Sequence, residues 1–169
     1  MTFRQHAYCS FCGHPFAVHA PWPRICAHCD NVTYRNPLPV SVIIQPVDDG
    51  LLVARRAIEP AKGKLALPGG FVELPETWQE AAARELLEET GVSVDPAAVD
   101  VVDVYSAPDG TLLIFGLAPP LTAADLPPFP PGGESSERVI LREPAELAFP
   151  YHTKVVAAYF TAQRRPGKR

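Results

Sequence analysis

At 169 residues, with 47% hydrophobic and 20% charged content, the chain has the make-up of a globular protein with a real core: one medium domain, or one domain with a small appendage. No apolar run approaches the roughly 20 residues that span a bilayer, and the opening MTFRQHAYCS lacks the basic and apolar stretches of a secretory signal, so a cytoplasmic protein with no membrane partner is expected. The net charge of −4 is uneven, because residues 1–38 carry Arg4, Arg24 and Arg35 against Asp30 and stand at +2, leaving −6 for the rest; such a body makes nucleic acid an unlikely partner and would need metal cations to act on phosphates.

In chain order, Cys9-x-x-Cys12 and Cys26-x-x-Cys29 come first and use all four cysteines, with 13 residues between the pairs. Two such hairpins present four thiolates to one tetrahedral Zn²⁺. A reducing compartment disfavours disulfides, and a redox CxxC would need only one pair in a βαβ setting. Residues 1–38 are therefore expected to form a zinc ribbon on Cys9, Cys12, Cys26 and Cys29, too small to fold without the energy of metal binding. His14 and His28 lie beside the cysteines and are read as bystanders.

YRNPLP (34–39) reads as a linker. VSVIIQPV, the DDG turn and LLVARRA then make a hairpin over 40–57. KLALPGGFVEL follows, with Gly69 and Gly70 interrupting strand-like residues. Thr77 opens a helix with Glu80 at the third position, a capping box; the helix runs to about Thr90 and Gly91 stops it. Ala83, Leu86 and Leu87, with Trp78, supply its apolar side. VVDVYSAP, DG and TLLIFGLAPP form a second hairpin, PPFPPGG a loop, ERVILRE a strand, and TKVVAAYFTAQRR a closing amphipathic helix. Residues 164–169 are expected to be a flexible basic tail. Mixed strands flanked by helices imply an α/β/α sandwich around a mixed sheet.

One stretch conflicts with local helix physics. Glu85, Glu88 and Glu89 crowd the last turn of the helix, where the dipole disfavours carboxylates by a few tenths of a kcal/mol, up to about 1 each, and like charges three and four apart add to the penalty. Arg84 alone does not neutralise them. A divalent cation reverses the sign of both effects, and hard Mg²⁺ or Mn²⁺ takes oxygen ligands while leaving positions for substrate phosphates. Gly69 and Gly70 let backbone approach an ion or phosphate without a Cβ in the way.

The combination is more specific than its parts. Gly70, five residues, Glu76, seven residues, then Arg84-Glu85-Leu86-Leu87-Glu88-Glu89-Thr90-Gly91-Val92 matches GX5EX7REUXEEXGU, the Nudix box, at every defined position. Its seven fixed letters would coincide by chance about once in a billion windows at average composition. The chain resembles the Nudix hydrolases, specifically a group with an N-terminal zinc ribbon similar to ADP-ribose and FAD pyrophosphatases and less closely to NADH pyrophosphatases. The resemblance covers about residues 39–162, with the catalytic domain expected over 39–163.

That resemblance implies Mg²⁺- or Mn²⁺-dependent hydrolysis of a nucleoside diphosphate linked to another moiety, X. It implies Glu85 and Glu89 as direct metal ligands, Glu88 as a ligand directly or through water, and the carbonyl of Gly70 as a further ligand. Arg84 would orient Glu85 and Glu76, and Glu76 would act from behind the ligands. Family members often add a glutamate from a later loop as ligand or general base; Glu134 is favoured, with Glu137 the other choice. Arg55 and Arg56 follow a strand, so one of the two must point to each face and either could meet a phosphate.

For the substrate, NADH pyrophosphatases carry SQPWPFPxS after the box, and VYSAPDGTLLIFG here lacks it. Pro108 gives a weak echo of ADP-ribose pyrophosphatases, and Tyr105 reads as packing. Tyr34, Phe115 or Tyr151 could clamp a base, and His152 could touch ligand or cap the last helix. The expectation is an adenine-containing small nucleotide, ADP-ribose or FAD-like, releasing AMP. The alternatives are an NADH or NAD-capped RNA pyrophosphatase and a non-catalytic nucleotide sensor. Relatives with an appended module are often dimers, which leaves a homodimer open.

Overall fold

The computed structural model describes residues 5–129 and 133–164, and the chain divides into two compact units, residues 1–37 and 38–169. Pro130 to Gly132 of the proline-rich loop, and the expected basic tail apart from Arg164, lie outside the described residues. No helix among the described residues is long and apolar enough to cross a membrane.

The first unit is two copies of one turn joined by a short ladder. The Cys9 N–H donates to the His14 carbonyl at 2.8 Å and the Gly13 N–H to the Cys9 carbonyl at 3.0 Å. Cys26 repeats the pattern, donating to Asn31 at 3.0 Å and accepting from Asp30 at 2.9 Å. Gly13 and Asp30, equivalent in the two turns, both have positive φ, 74° and 56°. Strands β1 (Arg24–Ile25) and β2 (Val32–Thr33) pair antiparallel beside the second turn. Among its described residues only Cys9, Cys26 and Thr33 are buried, and these form no apolar core.

The second unit is built on β3 (Leu38–Val47), β4 (Gly50–Arg56), β5 (Leu65–Ala66), β6 (Gly69–Phe71), β7 (Asp100–Ser106), β8 (Thr111–Leu117) and β9 (Ser135–Leu141). The sheet runs β5-β4-β3-β8-β7, with β6 also on β3 and β9 on β4. β3 and β8 are parallel and the other pairs antiparallel, which makes the sheet mixed. β3 begins earlier than the linker reading allowed: Leu38 and Pro39 pair with Thr111 and Leu112 of β8. Pro39 is tolerated there because it sits at the very start of the strand, where its missing N–H breaks little of the ladder.

Strand alternation builds a core on each face. Val42, Ile44, Leu51 and Val53 pack with Val155, Val156 and Phe160 of α2 (Pro150–Gln163) on one side. Ile43, Val47 and Leu52 pack with Ala82 and Leu86 of α1 (Trp78–Thr90) on the other. The result is an α/β/α sandwich. Phe115 belongs to the α2-side core and is fully buried, so it offers no clamp to a ligand. Leu87 is 49% exposed, because the buried face of α1 runs through Ala81, Ala82, Leu86 and Thr90 and a residue directly after Leu86 is turned about 100° away.

Local signals fix α1. The Thr77 side chain accepts from the Glu80 N–H at 3.2 Å, and the Glu80 carboxylate accepts from the Thr77 N–H at 2.6 Å. Gly91 closes the helix at φ 77°, its N–H on the Leu87 carbonyl at 2.8 Å. A long-range partner is added at the acidic end. From β9, the Arg138 guanidinium donates to the Thr90 carbonyl at 2.8 Å and to the Pro127 carbonyl at 2.7 Å, placing a cation at the negative pole of the helix. Arg138→Met would leave both carbonyls unmatched. We expect it to lower unfolding stability in urea by about 1.5–3 kcal/mol, with the slope of the transition unchanged.

Candidate active site

The site grows from two close approaches. β6 lies antiparallel on β3 with Gly69 opposite Val42 and Gly70 opposite Ser41. A Cβ on Gly69 would come within 2.5 Å of the Ser41 carbonyl oxygen, and one on Gly70 within 2.1 Å of the Glu85 carboxylate. At Gly69 the clash is with backbone, which requires glycine there; at Gly70 it is with the end of the Glu85 side chain, which would have to move aside. The same contact puts the Gly70 backbone, an expected ligand, directly against the Glu85 side chain.

Arg84 organises the carboxylates around it. Its Nε and Nη2 donate to the two oxygens of Glu76 at 3.1 and 2.8 Å, a bidentate fork. Nη1 donates to Glu85 at 2.7 Å and, more weakly, to Glu88 at 3.4 Å. Nη2 also donates to the Phe71 carbonyl at 3.0 Å, which ties β6 to the helix. Glu76 is further held by the Glu73 N–H at 2.8 Å. With its donors so engaged, Arg84 holds Glu76 and Glu85 together.

Burial raises the pKa of Glu85, and burial together with the charge of Glu85 pushes Glu89 up to about 8. The charge of Glu134 raises both, which places that carboxylate within electrostatic reach of the turn. Glu134 is anchored through its carbonyl, which accepts from the Ala57 N–H at 2.7 Å. A divalent cation offsets the burial and the repulsion together. Oxygen donors, a glycine cradle and carboxylates whose charge is opposed by their own surroundings fit Mg²⁺ or Mn²⁺.

These groups open on one cleft of about 930 Å³. Its lining combines charged side chains, Glu85, Glu88, Glu89, Glu134, Arg84 and Arg56, with apolar ones, Val40, Leu113, Pro108, Phe71 and Tyr151. The structure separates the two adjacent arginines. Arg56 lines the cleft, its guanidinium 5.2 Å over the Phe149 ring and its Nε on the Pro60 carbonyl at 2.7 Å. Arg55 instead pairs with Glu137 at 2.5 Å and donates to the Gly63 carbonyl at 2.8 Å, and neither Arg55 nor Glu137 lines the cleft. A register shift between Arg55 and Arg56 against β9 accompanies this divergence.

Tyr151 lines the cleft and stacks on Tyr105 at 4.8 Å, while Tyr105 donates to Asp103 and packs edge-on to Phe115. Tyr105 is thus a buttress. Tyr34 belongs to the other unit and is 65% exposed. Sequence reasoning passed over Phe71, which is 56% exposed on the cleft wall despite its size; its place directly after the box glycine was the available signal. Nothing in the sequence pointed to Phe149 under Arg56.

In the first unit the four cysteine sulfurs lie within 4.8 Å of one another, the one group of three or more potential ligands so gathered among the described residues. Backbone N–H groups of Phe11 and His28 point at Cys9 and Cys26 sulfurs, each at 3.4 Å, and the Cys12 N–H holds the Cys9 thiol down to about 6. Four soft donors at tetrahedral distance suit Zn²⁺. His14 and His28 stack on each other at 5.4 Å, outside the group.

A mixed sheet between two helices, with a glycine-hinged strand feeding an acidic helix, defines a Nudix-type domain. The NUDIX domain model matches residues 35–159, and the chain belongs to that family. It is 33% identical over 114 residues to the NAD-capped RNA hydrolase NudC of Edwardsiella ictaluri, covering 67% of this chain and 44% of that protein; the chain spans less than half the length of that relative. A NUDIX hydrolase from Nitrosomonas europaea superposes with a TM-score of 0.73 at 29% identity, over 96% of both chains. A bifunctional NMN adenylyltransferase/ADP ribose pyrophosphatase from Francisella tularensis, complexed with AMP and a Mn ion, shares the fold at a TM-score of 0.56 and 24% identity, over 73% of this chain and 37% of that one.

Two measurements test the metal assignments. Gly70→Ala drives a methyl into Glu85, and Mn²⁺ affinity should fall roughly 10- to 100-fold, the usual effect of disturbing the groups behind a metal ligand; calorimetry against wild type checks this. Elemental analysis should find one zinc per chain, and Cys26→Ser should lose it while the amide signals of residues 5–37 collapse to random coil.

Proposed function

We propose that this chain is a Mg²⁺- or Mn²⁺-dependent pyrophosphatase acting on an adenine-containing nucleoside diphosphate linked to X, of the ADP-ribose or FAD type, with AMP as one product. The observation that supports this reading is the mixed lining of one cleft. Carboxylates and exposed or half-buried apolar side chains line it together, as suits a substrate with a charged diphosphate and a flat, uncharged remainder.

In the reaction, the oxygen of water bonds to one phosphorus of the diphosphate, the bridging P–O bond to that phosphorus breaks, and two phosphomonoesters leave with release of a proton. Glu85, Glu88 and Glu89, with the Gly70 carbonyl, would hold the divalent cation, which when bound neutralises phosphate charge and acidifies water. Arg84 and Glu76 keep Glu85 in place. Glu134, on the loop before β9 and lining the same cleft, would take the water's proton. Arg56 supplies positive charge to phosphate oxygens, and Phe71 with Tyr151 supplies apolar surface for the base or X.

A second reading is hydrolysis of an NAD-type end, free or on RNA, favoured by the name shared by the curated relatives at 33–36% identity. It uses the same site and breaks the same kind of bond, since NAD also joins AMP to X through a diphosphate; free NAD would give AMP, whereas a capped RNA would keep that AMP unit as its 5′-monophosphate end. The N-terminal unit, read as a four-cysteine zinc ribbon, would then contribute to holding RNA.

The test is a product-resolved panel of ADP-ribose, FAD, NAD, NADH, diadenosine polyphosphates, nucleoside triphosphates and a short NAD-capped RNA, with Mg²⁺ or Mn²⁺. AMP should appear from one of the first two, and Glu89→Gln should reduce that rate by on the order of 10²–10³-fold, the scale for removing one preorganised electrostatic group. Preference for the capped RNA, with steep loss of turnover as salt rises, would replace the first reading with the second. Nucleotide binding without turnover under either metal would leave only a sensor.

A further inference from the structure

His152 sits in the first turn of α2, only 5% exposed, yet it lines the cleft. Its Nδ1 accepts the backbone N–H of Leu67 at 3.2 Å. A ring nitrogen that accepts carries no proton, so in the neutral ring the proton is on Nε2. Burial, and after it the charge of Arg56, hold the pKa down to about 3, which keeps the ring neutral throughout the working range. Phe149 and Phe115 meet the ring at steep angles, with centroids 5.0 and 5.7 Å away, and restrain its plane. The tautomer and the direction of the Nε2–H are both set by the fold.

That N–H has no acceptor among the described residues. It is also not among the side-chain polar atoms sealed from solvent without a partner; among the described residues that class contains Gln45 Oε1 alone. Its access to solvent is through the surface His152 contributes to, which is the cleft. Arg56 lines the same cleft, and its guanidinium and the His152 ring both pack against the Phe149 ring, at 5.2 and 5.0 Å. The Arg56 charge acts on His152 and on Glu89 alike. Its Nε is committed to Pro60 and its face to Phe149, while Nη1 and Nη2 have no acceptor among the described residues.

We propose that the Nε2–H of His152 and the guanidinium of Arg56 form an oxyanion subsite that holds a phosphoryl oxygen of the nucleotide. This rests on the pyrophosphatase reading and adds a specificity-determining residue to it. The two donors divide the work. Arg56 supplies charge, and His152 supplies direction without a second positive charge that would compete with a divalent cation for the glutamates. A neutral donor held by the Leu67 backbone gives the substrate an acceptor-specific contact at fixed geometry.

The discriminating variant is His152→Asn. An Asn amide oxygen can replace Nδ1 as acceptor for the Leu67 N–H but places no donor where Nε2–H stands. We expect the melting temperature to stay within a few degrees. KM for the preferred nucleotide, and the inhibition constant of AMP, should rise roughly ten- to a hundredfold, as for one hydrogen bond to a charged acceptor, with kcat changing less than KM. A purely structural histidine predicts the reverse, an unchanged KM in a variant that keeps the Leu67 bond, and that result overturns the subsite. A second measurement needs neither turnover nor a variant. Long-range ¹⁵N spectra of the wild type at neutral pH should show the neutral Nε2–H tautomer, and AMP, or inorganic phosphate in a separate titration, should move the Nε2 resonance more than Nδ1. A protonated ring, the Nδ1–H tautomer, or an Nε2 signal unmoved by AMP at saturation refutes the proposal. Absence of turnover on every substrate would sink the pyrophosphatase reading and leave the AMP titration to decide on His152.

Discussion

The Arg84 guanidinium is the contact on which the site depends. It meets Glu76 as a fork, Glu85 end-on, Glu88 at longer range and the Phe71 carbonyl of β6. One planar cation with five donors can serve that many acceptors only because its geometry is rigid, which lysine could not match. Remove it and Glu85 loses the cation it pairs with while remaining pressed against Gly70, and β6 loses its tie to α1. Sheet position, helix position and carboxylate position are therefore coupled through a single side chain. Glu76, bonded to the Glu73 N–H as well, fixes the loop between β6 and α1 and so fixes where Arg84 can reach.

The acidic end of α1 is stabilised unequally. Arg84 takes one side of the helix and Arg138 caps its end through the Thr90 carbonyl. Neither reaches Glu89, whose ionisation is opposed by burial and by the charges of Glu85 and Glu134. The fold thus satisfies the helix terminus, so the helix stands without help, and leaves an excess of negative charge on the face toward the cleft. That division matters for function: a terminus that itself required a cation would tie folding of the sandwich to metal, whereas an excess confined to one face ties only the site to it.

Local rules reached the parts of this fold that local physics controls. Thr77, Glu80 and Gly91 set the ends of α1 because a capping box and a left-handed glycine act over four residues. The two CxxC turns were legible for the same reason, and so was the strand–turn–strand pattern of both hairpins. Arg138 was not, since its partner carbonyl lies 48 positions away and nothing near Arg138 marks it. Alternation says that Arg55 and Arg56 face opposite ways, yet only the β9 pairing decides that Arg55 goes to Glu137 and Arg56 to the cleft. The glycines at 69 and 70 announced a close approach without naming Ser41 and Glu85 as what is approached. The apparent linker ran into β3 because Leu38 finds its partner in β8, a parallel neighbour more than seventy residues on.

The cleft takes its mixed lining from the strands and helices that meet at it. Val40 and Val42 of β3 line it beside Gly69 and Gly70 of β6, so the apolar wall and the glycine cradle share one ladder and cannot drift apart. More of the lining comes from the start of α2, where Phe149, Tyr151 and His152 arrive together because the chain enters the helix through Pro150. Tyr151 is backed by Tyr105, which Asp103 and Lys154 hold from either side, and His152 is backed by the Leu67 N–H. Both of these side chains facing the cavity are thus supported by groups that do not. A ligand entering such a site finds its donors, its acceptors and its apolar surface already in place, so less of its binding energy goes to ordering the protein, and more is left to hold a diphosphate in a single orientation against the glutamates.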